Sequence, residues 1–161
     1  MNFNREIKET ESTIKKNAFI KADFIFNKYG VNCFSDDSGL QVDALDNQPG
    51  VRSARYAGEN ASSNDNVDLL LENLKYIKDR RAKFITSICL IINSNVKFFE
   101  GMIRGNITHT RRGDNGFGYD PIFVPDGYKK TFAEMPFEYK NSISHRAIAI
   151  KKLVKYLNSL N

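Results

Sequence analysis

The segment of residues 34–58, FSDDSGLQVDALDNQPGVRSARYAG, constrains the fold more than any other stretch of the chain. At its centre two adjacent carboxylates, Asp36 and Asp37, follow an apolar run at residues 31–34 and precede a serine and a glycine. This order predicts acidic side chains at a turn where a strand ends, and open α/β sheets bind ligands at strand ends. Such a pair can hold a divalent cation or take a proton from an attacking water. For these four residues alone, a solvated turn is the favoured interpretation.

The composition predicts one globular domain spanning residues 1–161, since 41% of the residues are hydrophobic. The formal charge of +5 favours acidic partners such as nucleotides, but the basic residues are spread along the chain, so we expect no nucleic-acid partner. Cys33 and Cys89 lie in apolar runs without metal or redox spacing and are expected to be buried thiols. Because no apolar stretch reaches membrane-spanning length, we expect a cytoplasmic protein without a membrane partner.

Helical and β-rich patterns alternate along the chain. Apolar stripes and capping hydroxyls predict helices at residues 12–29, from residue 62 or 63 onwards, and at residues 144–157. The last helix is expected to bury Ala147, Ile150, Val154 and Leu157. Strands are predicted at residues 31–34, 40–44 and 121–124, with a hairpin of residues 84–92 and 96–103 between them. This alternation predicts an α/β fold in which helices flank a mixed sheet.

The segment GDNGFGYD, at residues 113–120, places three glycines around two aromatic side chains. Glycine lets the backbone approach a ligand or take a positive φ, and an aromatic ring exposed between glycines can stack on a base. An irregular hairpin explains the pattern equally well. Further along, the segment SISHR at residues 142–146 begins the last helix, and helix N-termini favour anions.

Three separated motifs together resemble the inosine triphosphate pyrophosphatase family, which hydrolyses non-standard purine nucleoside triphosphates. The motifs are SDDSGLQVDAL with PGVRSARYAG, then GDNGFGYDPIF, then EYKNSISHRAIA, in the family's order and at its usual separations. Residues 13–22, TIKKNAFIKA, also look like a family segment, so the resemblance extends from about Glu9 to the end. It implies a mixed twisted α/β sheet flanked by helices around a central cleft, and a homodimer.

The resemblance also implies roles for individual residues. It makes Asp37 the general base and a ligand to Mg²⁺, places Asp36 beside it, and makes Glu9 the second metal carboxylate. The implied substrate contacts are Ser38, a purine-binding loop of Phe117, Gly118, Tyr119 and Asp120, and the purine and phosphate contacts Lys140, His145 and Arg146. Hydrogen-bond donors facing a 6-keto oxygen would disfavour adenine, and Arg146 with nearby backbone is the candidate reader.

Other residues near these motifs have more ordinary interpretations. Arg52 and Arg55 are expected to brace the acidic turn, with phosphate contact as the alternative. His109 is expected to be a surface residue.

The start of the sequence departs from the family pattern. Family members typically begin with a strand and a loop of the type Thr or Ser, x, Asn, x, x, Lys, which cradles the triphosphate. Residues 1–8, MNFNREIK, do not match that pattern, which predicts either a piece of a longer product or a shortened protein. We expect such a chain to be a slower enzyme with an exposed sheet edge. The alternative function is a purine-nucleotide-binding module that has little or no catalytic activity.

Overall fold

The computed structural model describes residue 7 and residues 11–160. Glu9, the second predicted metal ligand, lies outside the described residues. The elements in chain order are α1 (Ile14–Tyr29), β1 (Cys33–Val42), α2 (Ser63–Asn73), β2 (Arg81–Ile92), β3 (Asn95–Ile107), β4 (Phe123–Pro125), α3 (Phe137–Ile143) and α4 (His145–Asn158). Short 3₁₀ helices, including Gly50–Arg55 and Asp120–Ile122, lie between them. The predicted α/β class is confirmed.

The helix ends follow local hydrogen bonding, as the sequence predicts. The Thr13 hydroxyl accepts the N–H of Lys16 and starts α1, and Gly30 ends it with a φ of 65°. Helix α2 starts at Ser62, whose side chain forms a reciprocal capping box with Asp65. In the described part of the chain no helix combines the length and apolar character that crossing a membrane requires.

Strand β1 differs from its prediction. The predicted acidic turn is wrong, because Asp36 and Asp37 lie within one continuous strand that pairs antiparallel with β2. Pairing along the whole of β1 holds these residues in extended backbone despite their turn-like composition. Gly39 is required there because a Cβ at that position would lie 2.3 Å from the carbonyl oxygen of Gly50.

The sheet has the strand order β1-β2-β3-β4. Every strand pair in the described residues is antiparallel, whereas the sequence pattern predicted a mixed sheet. The β2–β3 hairpin is confirmed. Its turn places Asn93 and Ser94 at φ values of 48° and 64°, the backbone that two-residue hairpin turns favour.

Helices α1 and α4 cover opposite faces of the sheet. On the α1 face a core cluster combines Ala18 and Ala22 with Cys89 and Ile91 of β2. On the α4 face Ile88 and Leu90 of β2 pack with Ala149 and Leu153. Consecutive residues of β2 therefore alternate between the two layers, as the pleat of a strand requires.

The buried face of α4 is not the predicted one. Ile150 and Val154 are 43% and 47% exposed, whereas Ala149 and Leu153 are buried. Gly101 of β3 explains this rotation, because a Cβ there would lie 2.0 Å from the carbonyl oxygen of His145 and 2.6 Å from the nitrogen of Ala149. The first turn of α4 thus rests directly on the backbone of β3.

Candidate active site

A cavity of about 280 Å³ opens on the α4 side of the sheet. Its lining includes every residue that the sequence analysis identified as a substrate contact: Ser38, Phe117, Gly118, Tyr119, Asp120, Lys140, His145 and Arg146. Ligand pockets commonly measure about 300–1,000 Å³. At about 280 Å³ the cavity lies just below this range, a volume that suits a small group such as a nucleobase.

The loop of residues 113–120 presents an aromatic ring at this cavity. Phe117 is 65% exposed, and its backbone N–H donates to the Asp120 carboxylate at 2.8 Å. Gly116 has a φ of 80°, and a Cβ there would lie 2.1 Å from the same carboxylate. The buried Tyr119 donates its hydroxyl to the carbonyl of Ser53 at 3.0 Å, and burial raises the pKa of this phenol. Asp120 and Tyr119 thus anchor the loop while Phe117 stays exposed.

Lys140 and Asp120 form a buried ion pair beneath this loop. The Lys140 ammonium also lies 4.4 Å from the centre of the Phe117 ring, a cation–π distance. A buried charge that loses its partner is strongly destabilising. Lys140 therefore supports the aromatic loop from inside the cavity, and its charge is already compensated by Asp120.

His145 lies against the floor of the cavity as a neutral imidazole. Its ring stacks on Phe84 with centroids 4.8 Å apart and an interplanar angle of 10°. Burial, together with the positive charges of Arg146 and Lys140, lowers the pKa of His145 to about 3. Its Nδ1 atom is buried and has no hydrogen-bond partner among the described residues. At neutral pH the ring accordingly offers one donor and one acceptor nitrogen.

Arg146 connects the cavity to the acidic segment. Its guanidinium lies 3.1 Å from the Asp36 carboxylate and donates to the Ser38 hydroxyl at 3.3 Å. The Ser38 and Thr86 hydroxyls are 2.7 Å apart. Thr86 was missed by sequence reasoning, since only its position opposite Ser38 in the β1–β2 register brings it to the site.

Asp37 faces the other side of the sheet. Its carboxylate lies 3.1 Å from the ammonium of Lys21 on α1, and the residue is buried. Because neighbours in a strand point to opposite faces, Asp36 and Asp37 do not share one environment. Both lie outside the lining of the cavity. Lys21 was also missed as a site residue, although it lies in the segment TIKKNAFIKA, which resembles a family segment.

A family model described as "Ham1 family" matches residues 1–156. The chain belongs to the Ham1 family. A protein of Flavobacterium johnsoniae called dITP/XTP pyrophosphatase is 48% identical over 159 residues, which cover 99% of this chain and 83% of that protein. A protein of Porphyromonas gingivalis with the same name is 50% identical over 153 residues, covering 94% and 79% of the two chains.

Solved structures support the same relationship. The structure of the Staphylococcus aureus Ham1 protein matches with a TM-score of 0.95 and 40% identity, covering 98% of this chain and 83% of that one. A HAM1 protein from Coxiella burnetii matches with a TM-score of 0.93 and 40% identity over 96% and 81% of the two chains. The family resemblance found in the sequence is thereby confirmed.

The donor chemistry of the Ham1 chain fits Mg²⁺ only in part. The described residues contain no group of three or more His, Cys, Asp or Glu side chains placed to hold a metal. Asp37, the predicted ligand that the structure describes, does offer the hard carboxylate oxygens that Mg²⁺ prefers. Since Mg²⁺ is often held by one or two carboxylates plus substrate phosphates, a single carboxylate at this position fits only an ion shared with the substrate.

The remaining predicted polar residues of the Ham1 chain lie outside the lining of the cavity. His109 is exposed, as expected. The turn that Arg52 and Arg55 were expected to brace is absent, and their guanidinium groups lie 3.9 Å and 3.8 Å from the Glu59 carboxylate. The Arg52–Glu59 pair is exposed on both sides, and such pairs contribute little to stability.

Proposed function

We propose that this Ham1 protein hydrolyses non-standard purine nucleoside triphosphates, namely dITP, ITP and XTP, to the monophosphate and pyrophosphate. The observation that carries the proposal is the base-sized cavity, in which an exposed aromatic ring faces polar donors. The dITP/XTP pyrophosphatase names of the Flavobacterium johnsoniae and Porphyromonas gingivalis relatives support this substrate class. They also favour an enzyme over a binding module without catalysis.

In this proposal the cavity selects the base. Phe117 stacks on the purine, which supplies affinity but little discrimination, because every base has a π face. Arg146 uses its Nε and Nη2 groups for Asp36 and Ser38, so its Nη1 group can donate to a 6-keto oxygen. With adenine, the 6-amino group would face this donor and leave it unpaired. The site should therefore reject ATP.

Asp37 supplies the proposed chemistry on the other face of β1. Its carboxylate accepts the proton of the attacking water, and the ammonium of Lys21 at 3.1 Å holds that carboxylate in place. Asp37 would hold Mg²⁺ together with the substrate phosphates, and the ion when bound neutralises charge on those phosphates. Positioning by these side chains is the main contribution a protein makes to phosphoryl transfer.

The proposed activity is tested by incubating the protein with ITP, XTP, dITP or ATP, with and without Mg²⁺, and measuring pyrophosphate. We expect release from the first three nucleotides, dependence on Mg²⁺, and little release from ATP. Nucleotide binding by calorimetry without pyrophosphate release would instead identify a binding module. Equal rates with ITP and ATP would contradict the assigned base selectivity.

We also infer that the protein is a homodimer in the cytoplasm. The support for both is the family resemblance, together with two cysteines, Cys33 and Cys89, that are free thiols. Light scattering coupled to size-exclusion chromatography tests the dimer, since a mass near 18.4 kDa would show a monomer. Fractionation of the source cells tests the compartment.

A further inference from the structure

Among the residues that the structure describes, the layer between α1 and the sheet contains two neutral buried polar groups that lack hydrogen-bond partners. They are the Oγ of Ser87, a residue only 1% exposed, and the Nδ2 of Asn17, a fully buried residue. The other amide atom of Asn17 accepts the backbone N–H of Glu11 at 3.0 Å, so only its NH₂ group lacks a partner. Buried polar atoms without partners are rare, and an unseen water is a common explanation.

Both groups lie around Asp37. Ser87 is directly opposite Asp37 in the β1–β2 register, and opposite residues share one face with Cβ atoms about 4.5–5.5 Å apart. Asn17 lies one helical turn before Lys21, the residue that contacts Asp37 from α1. Side chains four residues apart lie on the same helix face. Asn17 therefore lies on the same face of α1 as Lys21, and Ser87 lies beside Asp37 on the neighbouring strand.

Other described residues of this layer are apolar or already have hydrogen-bond partners. Ala18, Ala22, Cys89 and Ile91 make an apolar cluster, and the Ser35 hydroxyl is already bonded to the carbonyl of Ala18. The two side chains with unmet hydrogen bonds thus lie in the same layer as Asp37, a buried carboxylate. Shape or hydrophobic packing alone does not account for Ser87 and Asn17 at these positions.

We propose that one buried water is bound between Asn17, Ser87 and Asp37, and that Asn17 and Ser87 are positioning residues for Asp37. The water accepts from the Asn17 amide, bonds to the Ser87 hydroxyl and donates to the Asp37 carboxylate. Three such bonds are typical of a buried water. The bridge adds a restraint on the carboxylate to the contact with Lys21. An effect of Asn17 and Ser87 on turnover rests on the proposed function, in which Asp37 is the general base.

The first test is a high-resolution crystal structure of the wild-type protein and of Ser87→Ala. We expect density for a water within hydrogen-bond distance of the Ser87 hydroxyl in the wild type, and its loss or displacement in the variant. Wild-type density without a water at this position would overturn the proposal. This readout requires no catalysis, so it remains decisive even if the protein releases no pyrophosphate, an outcome that would refute only the proposed function.

The second test compares kinetics with dITP. Loss of an outer hydrogen bond to a metal-binding carboxylate commonly costs about 10–100-fold in activity. We expect Ser87→Ala to lower kcat about tenfold with KM unchanged, and Ser87→Thr, which keeps the hydroxyl, to restore kcat. Cys89→Ala is the matched control, because it removes one buried γ atom from the same face of β2 and should leave kcat unchanged.

Melting temperatures separate positioning from folding. If Ser87→Ala and Cys89→Ala melt at similar temperatures but only the former loses kcat, the positioning role is supported. If Ser87→Ala keeps the wild-type kcat, or Ser87→Thr is as slow as Ser87→Ala, the bridge does not position Asp37.

Discussion

The two faces of β1 differ in chemistry although their residues are adjacent in sequence. On the α4 face, Asp36 and Arg146 form an ion pair whose side chains are 39% and 44% exposed, beside an open cavity. On the α1 face, the Asp37 side chain is 9% exposed and is paired with Lys21 under a helix. Water screens the first pair more than the second. The comparison predicts that mutations on the α4 face affect substrate binding, whereas those on the α1 face affect turnover.

The largest effect is expected from Asp37→Asn. Removing a general base typically costs about 10²–10⁴ in rate, so kcat for dITP should fall at least 100-fold while nucleotide affinity persists. Pyrophosphate release and calorimetric binding measure the two quantities, and circular dichroism checks the fold. A variant as active as the wild type would show that Asp37 is not the general base. Equal losses of binding and turnover would contradict the prediction that mutations on the α1 face affect turnover alone.

The next effect concerns the aromatic ring of the cavity. Phe117→Ala should weaken purine binding by about 1–3 kcal/mol, the usual contribution of base stacking on an aromatic side chain. Because the ring is exposed, the melting temperature should change little. Calorimetry with dITP and a non-hydrolysable analogue measures this change. Unchanged affinity would show that the base lies elsewhere.

On the α4 face, the pH dependence of stability tests whether His145 is neutral in the folded protein. The pKa of His145 in the folded protein, about 3, lies below the ordinary value of 6.5. As the pH falls, the imidazole is therefore protonated in the unfolded chain before it is protonated in the folded one. Its stabilising contribution is therefore complete above pH 6.5 and declines as the pH falls towards 3, by about 1.4 kcal/mol per unit at most.

This dependence is measured by comparing thermal unfolding of the wild type and His145→Phe between pH 7 and pH 4. Phenylalanine keeps a ring against Phe84 but does not titrate. We expect the wild type to lose more stability than the variant on acidification. Parallel losses in both proteins would mean that His145 is protonated normally in the fold.

The smallest effect is expected from Asp36→Asn, the matched control for Asp37→Asn. Exposed ion pairs contribute about 0–1 kcal/mol, so loss of the Asp36 charge should raise KM for dITP less than about fivefold through a less ordered Arg146. Steady-state kinetics measure this change. A loss of kcat as large as that of Asp37→Asn would mean that both carboxylates act together, and the comparison between the two faces would fail.

Features that depend on local hydrogen bonding were determined by the sequence alone. Thr13 and Ser62 start their helices because a capping hydroxyl satisfies a nearby N–H, and Gly30 ends α1 because it accepts a positive φ without strain. The hairpin turn at Asn93 and Ser94 is equally local. The motifs also identified the residues that line the cavity, because each motif is a short contiguous segment with a characteristic order of residue types.

Only the tertiary structure decided which residues meet across the sheet. Pairing with β2 made the acidic segment a strand and turned Asp36 and Asp37 to opposite faces. Contact with Gly101 set the rotation of α4, whose apolar stripe by itself predicted the wrong buried face. Lys21 and Thr86 join the site through α1 packing and strand register. Such contacts depend on close packing between residues far apart in the chain, which no local pattern encodes.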